Sequence, residues 1–418
     1  MISNYYNNKM NILFKNDDHV KKIYQFISLS PFFISYDQTL EIKNATESVG
    51  AILEKTIFLF QKNIDVRNFF GFSEEYINLA KNCYSKENLF LSRFDGYIDS
   101  SNNIKFLEFN TDYPGSIIRL DTVHETIYDF LNITNYQKNN NFLLSFIKLA
   151  KKSYLNNKKK NDVFVIGYGS WHTDEKKYTL NFLKKCLQNE GIPAEVAQWK
   201  EITAKDGFLY YDDRIISVLF RAELSERIVS RDYDSYQKIL DVALKNNIFI
   251  YNPTSTLIAG SKNIMALWFT DLFQNLLTAK EKSIINKFIP KTYFINEDNQ
   301  NYIINNKNNF VLKPNFGHGG QGIVIGKNEH ENKWKDVVKI ALNKKDYIAQ
   351  EYIKPMVNKI DILDLQKNKI SSNIEVNINV NPWYCSKKMI GISGRFAKND
   401  IINIKQGGGS LPIYYKDK

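Results

Sequence analysis

Cysteine is scarce in this chain. Cys83, Cys186 and Cys385 are odd in number and far apart in 418 residues. That fits neither a disulfide framework nor a cysteine zinc site, and it points to a reducing compartment. Long apolar runs are missing too. None approaches the roughly 18 residues that a membrane span requires, so no membrane partner is expected. The N-terminus, MISNYYNNKMNILFKNDD, lacks a charged start followed by an apolar core. No signal peptide is read there, and the expected location is cytoplasmic. Charge of one sign is not concentrated either: Lys and Arg number 56 against 45 Asp and Glu, a net charge of +11, and the only basic run is Lys158-Lys159-Lys160. Scattered basic residues do not make a nucleic-acid footprint, so no nucleic acid is expected. The balance suits an anionic ligand or an acidic partner.

What is present is an ordinary globular composition, 43% apolar and 24% charged, in a chain long enough for two or three packed lobes. The stretch from Arg93 to Ser116, RFDGYIDSSNNIKFLEFNTDYPGS, organises it. Arg93, Asp95 and Tyr97 alternate along one run, and Phe106, Glu108 and Asn110 along the next. The SSNN between them is a turn, so the two read as an antiparallel hairpin. Residues two apart on a strand share a face. Glu108 and Asn110 therefore lie together, and Asp95 reaches the same face from the paired strand. Two carboxylates and an amide oxygen form a hard donor set suited to Mg²⁺, which takes its other ligands from water and phosphates. The plainer reading is a polar hairpin rim followed by an Asx-type turn.

A second stretch, FVLKPNFGHGGQGIVIG from Phe310 to Gly326, changes the balance. An apolar strand ends at Lys313-Pro314, a glycine-rich loop follows (Gly317, Gly319, Gly320, Gly322), and a second apolar strand closes it. Glycines let backbone N–H groups approach anionic oxygens, and the lysine adds a point charge. No G-K-[ST] follows and the next element is a strand, which excludes a Walker loop. A hairpin with a glycine-rich tip is the alternative.

Between these stretches, strand Val163–Gly167, helix Glu175–Asn189, a Gly turn and strand Ala194–Gln198 make one βαβ unit. Residues 1–90 read as mostly helical, without chemistry, and Phe69, Phe70 and Phe72 as core. Arg221, at the end of strand Ile215–Leu219, is read either as a bidentate clamp for a substrate carboxylate or as a partner of Glu223. Lys262 follows small residues near the start of a helix expected over Ile264–Leu277, which makes it an anion-site lysine or a surface one. Strands are expected at Ile374–Val380, Lys388–Phe396 and Ile401–Ile404.

Lys-Pro, the glycine loop, a strand and then Gln350-Glu351-Tyr352-Ile353 resemble the nucleotide clamp of the ATP-grasp ligases. The metal motif R-x-D…E-x-N-x-D-x-P-G lies before that clamp rather than after it. That order is similar to the circularly permuted branch containing glutathionylspermidine synthetase and eukaryotic-type glutathione synthetase, over roughly residues 85 to 415. The resemblance implies a mixed α/β and α+β, multi-lobed, circularly permuted ATP-grasp fold. Its expected parts are a helical and hairpin region (1–160), a small α/β substrate lobe (161–255), and the clamp with C-terminal core strands (256–418). It implies ATP and Mg²⁺ as cofactors. Lys262 and Lys313 with Gly317, Gly319 and Gly320 would meet the phosphates, and Gln350, Glu351 and Ile353 the adenine. Asp95, Glu108 and Asn110 would hold metal. Arg395 falls where the family works around phosphates and metal, Arg93 is the expected oxyanion donor, and Arg221 and Ser116 would face substrate.

Two features depart from the pattern. Asn315-Phe316-Gly317-His318 offers no carboxylate where glutathione synthetase has a metal-binding acid, and no amidase-like cysteine domain lies upstream. The expected reaction joins a small-molecule carboxylate to an amine through an acyl phosphate. The alternatives are acylation of a carrier-protein thiol or protein amine, with an acidic carrier as partner, or a non-catalytic nucleotide-binding module. A homodimer is carried as an expected state.

Overall fold

The computed structural model describes residues 25–81, 88–115, 117–133, 136, 142–170, 174–245, 248–317 and 319–415. Ser116, His172, His318 and Cys83 fall outside these residues. Among the described residues of the region expected to be helical, Phe26–Ser28 and Phe32–Ile34 are strands, and helices follow, the longest being Tyr36–Lys62. A capping box starts it: the Ser35 hydroxyl accepts from the Gln38 N–H, and the Gln38 side chain accepts from the Ser35 N–H. Ile42, Ala45, Val49, Ile52, Leu53, Ile57 and Phe60 recur at helical spacing and are buried. Burying such side chains contributes about 1.5–3 kcal/mol each. Gly50 sits where a Cβ would lie 2.4 Å from the Tyr384 ring, so the helix presses directly on the sheet behind it.

That sheet has seven strands, ordered Met356–Asp364, Phe26–Ser28, Gly409–Leu411, Lys388–Ala397, Lys369–Cys385, Ser92–Ile98 and Ile104–Asn110. Met356–Asp364 also pairs with Lys369–Cys385, which closes the first five strands into a ring. Ile360, Ile362, Val376, Ile378, Phe396 and Leu411 fill that ring. The 92–110 hairpin is the open edge, joined through Ser92–Ile98 to the long strand Lys369–Cys385. One sheet is thus completed from both ends of the chain, with the clamp inserted between them in sequence.

A six-stranded sheet carries the expected βαβ unit. Ala194–Gln198, Asp162–Tyr168, Arg214–Arg221 and Phe249–Tyr251 are parallel neighbours in that order. Asp162–Tyr168 is buried along its length, as a parallel strand covered on both faces must be. Helix Asp174–Asn189 makes the crossover and ends before Gly191, whose φ of +78° makes the turn. A four-stranded sheet, Thr292–Phe294, Tyr347–Glu351, Phe310–Pro314 and Val324–Ile325, is backed by helix Glu331–Lys344 through Trp334 and Val338.

Two expected elements differ. The helix expected over Ile264–Leu277 is two short pieces, Asn263–Leu267 and Asp271–Gln274, with a third, Thr256–Gly260, before them. Ser261 is extended, and the Thr270 side chain accepts from the Phe273 N–H to start a new helix. The expected strand Ile401–Ile404 is a turn: Asn403 caps the 3-10 turn Ile404–Gln406 by accepting from the Lys405 N–H, and Gly407 reverses the chain at φ +86°. No helix of the described residues is long and apolar enough to cross a membrane.

Candidate active site

The hairpin register decides what the site can be. Arg93 pairs with Asn110 and Asp95 with Glu108 across the two strands, so all four side chains share one face. A bulge between Asp95 and Gly96 ends that alignment. Arg93 holds Asp95 through two hydrogen bonds, Nε to Oδ1 at 2.5 Å and Nη2 to Oδ2 at 3.0 Å. The Arg93 guanidinium also lies 5.8 Å from the Trp383 ring. Arg395, from the neighbouring part of the sheet, reaches Asp95 Oδ2 at 3.4 Å. The Asn110 amide donates to Glu108 Oε1 at 3.3 Å, which leaves its own oxygen as an acceptor.

Two lysines face this set from other elements. Lys262 Nζ is 3.7 Å from Glu108 Oε2 and donates to the Gly317 carbonyl at 3.3 Å. Lys313 Nζ donates to the Leu107 carbonyl at 3.1 Å and to Gln350 Oε1 at 2.6 Å. Burial alone would raise the Glu108 carboxyl, but Lys262, Lys313, Arg93 and the Asn110 amide outweigh it and bring it down to about 2. Burial has the opposite result at Lys313, lowering its ammonium to about 8 despite Glu108 and Asp95 nearby.

Two cavities meet on this face. The narrower, about 90 Å³, lies between the four-stranded and seven-stranded sheets and is lined by Asp95, Lys313, Gly320, Gln350, Glu351 and Ile353 among others. Lys327 joins two of its lining residues: Nζ is 2.7 Å from Asp400 Oδ2 and 2.7 Å from the Tyr352 hydroxyl, and it lies over the Tyr352 ring. The wider cavity, about 400 Å³, is bounded by Arg93, Asn110, Arg227, Lys262, Gly317, Gly319 and Arg395. Glu108 and Asn403 line both cavities. The glycine loop spans the gap, tied down where Gln406 Nε2 donates to the Gly319 carbonyl at 2.9 Å. Gly319 and Gly320 have φ of +76° and +78°, and a Cβ on Gly320 would lie 2.7 Å from Ile401 and Gln406.

Fourteen of the fifteen residues expected at the site lie among the described residues, and all but Arg221 of these line a cavity or join the hairpin face. Arg221 requires correction as a substrate clamp. It is 0% exposed, and its guanidinium is occupied by the Asn252, Glu223 and Asp112 carbonyls and the Asp112 carboxylate. Ser116 lies outside the described residues. Residues the sequence reading left without a role also appear. Tyr76, from helix Glu74–Ala80, lines the wide cavity and stacks on Phe316 of the glycine loop, ring centroids 5.2 Å apart at 12°. Nothing in a short amphipathic helix signals that. Asn315 supplies no carboxylate: its Oδ1 accepts from the Ser261 hydroxyl at 2.6 Å and the Asn263 N–H at 3.1 Å, clasping the loop to the Lys262 segment.

The donor set fits Mg²⁺ in kind. It offers carboxylate and amide oxygens only, and two carboxylates leave positions for phosphate oxygens. Among the described residues no group of three His, Cys, Asp or Glu side chains forms a self-sufficient metal cage. The adjacent lysines and flexible glycine loop fit a polyphosphate.

Comparison with known proteins gives the same direction. A family profile described as glutathionylspermidine synthase preATP-grasp matches residues 13–393. A search of curated protein sequences gave no significant match. Among solved structures, the chain is similar to a glutathione synthetase-like effector from Globodera pallida in its apo form. The two are 13% identical, the match covers 93% of this chain and 90% of that one, and the TM-score is 0.65. At that identity the likeness is one of fold.

Proposed function

The chain belongs to the glutathionylspermidine synthase family, a family of ATP-grasp ligases that form carbon–nitrogen bonds, and from that premise we propose that it joins a small-molecule carboxylate to an amine through an acyl phosphate. One observation carries the reading: Asp95, Glu108 and Asn110 share a hairpin face with Arg93, opposite Lys262 and Lys313, where the two cavities meet. ATP would enter the narrow cleft, its adenine beside Gln350, Glu351 and Ile353 and its phosphates beside Lys313, Lys262 and the glycine loop. Mg²⁺ held by Asp95, Glu108 and Asn110 would supply charge neutralisation at the phosphate oxygens.

The acid would occupy the wider cavity. Its carboxylate oxygen attacks the γ-phosphorus, the bond to the bridging oxygen breaks, and ADP leaves. Several anionic oxygens meet in that step, and Lys262, Lys313 and Arg395 offset their repulsion. The glycine loop, tethered by Gln406, covers the acyl phosphate against water. An amine nitrogen then attacks the acyl carbon, and the proton it loses leaves on the departing phosphate. The oxyanion that forms faces Arg93, held in place by Asp95 and Trp383. Collapse releases phosphate, which carries away one oxygen of the original carboxylate, and leaves the amide. We place this activity in the making of small peptides or specialised metabolites.

The test is ADP and phosphate release with Mg²⁺-ATP across a panel of acids and amines. Release that requires one acid and one amine together supports the proposal. Release with an acid alone, carried through by a protein amine or a carrier thiol, would redirect the second half of the reaction. ATP turnover indifferent to every acid would overturn it.

A further inference from the structure

The open end of the hairpin is where Arg93 and Asn110 sit, and there the strand ladder stops: Arg93 opposite Asn110 is its last rung. A hairpin end at a sheet edge frays unless something replaces the next rung. Here one side chain does so. Asn252 Oδ1 accepts from the Leu91 N–H at 3.0 Å, while its Nδ2 donates to the Leu91 carbonyl at 2.9 Å and the Thr111 carbonyl at 3.1 Å. The amide thus stitches the residues flanking both strands as a peptide group would. Asn252 achieves this from a left-handed backbone, φ +47°, on the segment after strand Phe249–Tyr251.

Arg221 fixes that segment in turn. Its Nε donates to the Asn252 carbonyl at 2.9 Å, and its Nη2 to the Asp112 carbonyl at 2.8 Å and to Asp112 Oδ1 at 2.7 Å. The same Asp112 carboxylate accepts from the Ser225 N–H at 2.6 Å and hydroxyl at 2.7 Å. A planar guanidinium serves these acceptors at once, as a lysine ammonium cannot. We infer that Arg221 and Asn252 are positioning residues for the metal-binding face, coupling the six-stranded sheet to the backbone that aims Asp95, Glu108 and Asn110. Neither touches the reacting atoms. The inference rests on the assignment of Mg²⁺ to those three residues.

The experiment measures Mn²⁺ binding by electron paramagnetic resonance, with a non-hydrolysable ATP analogue present, for wild type, Arg221→Lys and Asn252→Gly. Glycine tolerates the left-handed backbone, so the second variant keeps the chain path while removing the stitch. Both variants should bind Mn²⁺ on the order of 10- to 100-fold more weakly, with metal-free affinity for the analogue unchanged. A purely structural role would lower the melting temperature and leave Mn²⁺ affinity where it was. Should Arg221→Lys fail to fold, Asn252→Gly carries the test. A wild type that binds Mn²⁺ beside a folded Asn252→Gly that binds equally tightly overturns this inference alone. A wild type that binds none overturns the metal assignment together with it.

Discussion

Lys313 carries a charge in a place that disfavours it, and Lys313→Met measures how much. The side chain is 7% exposed, and burial lowers its ammonium from 10.5 to about 8. A shift of that size corresponds to about 3 kcal/mol of native-state cost at neutral pH in the ligand-free protein. Methionine has nearly the volume of the lysine stem, so no large cavity opens. The substitution leaves Gln350 Oε1 without its 2.6 Å donor, a loss of about 1–3 kcal/mol. These terms nearly cancel, so ligand-free Lys313→Met should be as stable as wild type or up to about 2 kcal/mol more stable. The pH dependence separates the terms. Unfolded Lys313 keeps its proton up to 10.5, whereas the native chain releases it near 8, so its contribution to wild-type stability rises with pH between those values. The difference between wild type and variant should show that rise in urea titrations from pH 7 to 10. Mg²⁺-ATP should raise the melting temperature of wild type and not of the variant. A Lys313→Met protein that loses more than about 3 kcal/mol while keeping its ATP protection would refute the reasoning.

Three further outcomes follow from single sites. His124 is buried against the Phe142 and Tyr414 rings, neither ring nitrogen has a partner among the described residues, and burial lowers it to about 4. Its native value lies below its unfolded one, so stability present above pH 6.5 is lost as pH falls toward 4; His124→Phe should remove up to about 3 kcal/mol of that loss in acid urea titrations. In Gly409→Ala the new Cβ would lie 2.3 Å from the Phe396 ring and 2.5 Å from the Phe26 carbonyl, and denaturant melts should show a loss of about 1–3 kcal/mol. Lys327→Ala breaks a partly exposed contact with Asp400 worth about 0–1 kcal/mol, so stability should hardly change, but stopped-flow with a fluorescent ADP should show faster release.

The parts of the site legible in the sequence are those whose geometry is local. Alternation and a short turn fix the hairpin register, so Arg93, Asp95, Glu108 and Asn110 were readable as one face. The glycine loop was readable because a run of positive-φ positions leaves a compositional mark. What was not legible depends on distant packing. FRAEL shows an arginine at a strand end, but not that Asp112, more than a hundred residues earlier, would return to bury it. The helix expected over Ile264–Leu277 opens on the unbroken apolar run IMALWF, so periodicity could not show that Thr270 interrupts it. Three-residue strands such as Phe26–Ser28 and Gly409–Leu411 exist only because the sheet supplies their partners. Gly408 and Gly409 lead into that last strand under tight contacts with Phe396 and Asn403.

The central claim is that the acid is activated by phosphorylation on the hairpin face. The direct measurement uses an acid substrate carrying ¹⁸O in its carboxylate, with Mg²⁺-ATP and the amine that together support turnover. Mass spectrometry then reads the released phosphate. The account predicts one ¹⁸O atom per phosphate in wild type, and no phosphate release by Asp95→Asn or Glu108→Gln. Amide product accompanied by phosphate free of ¹⁸O would contradict it.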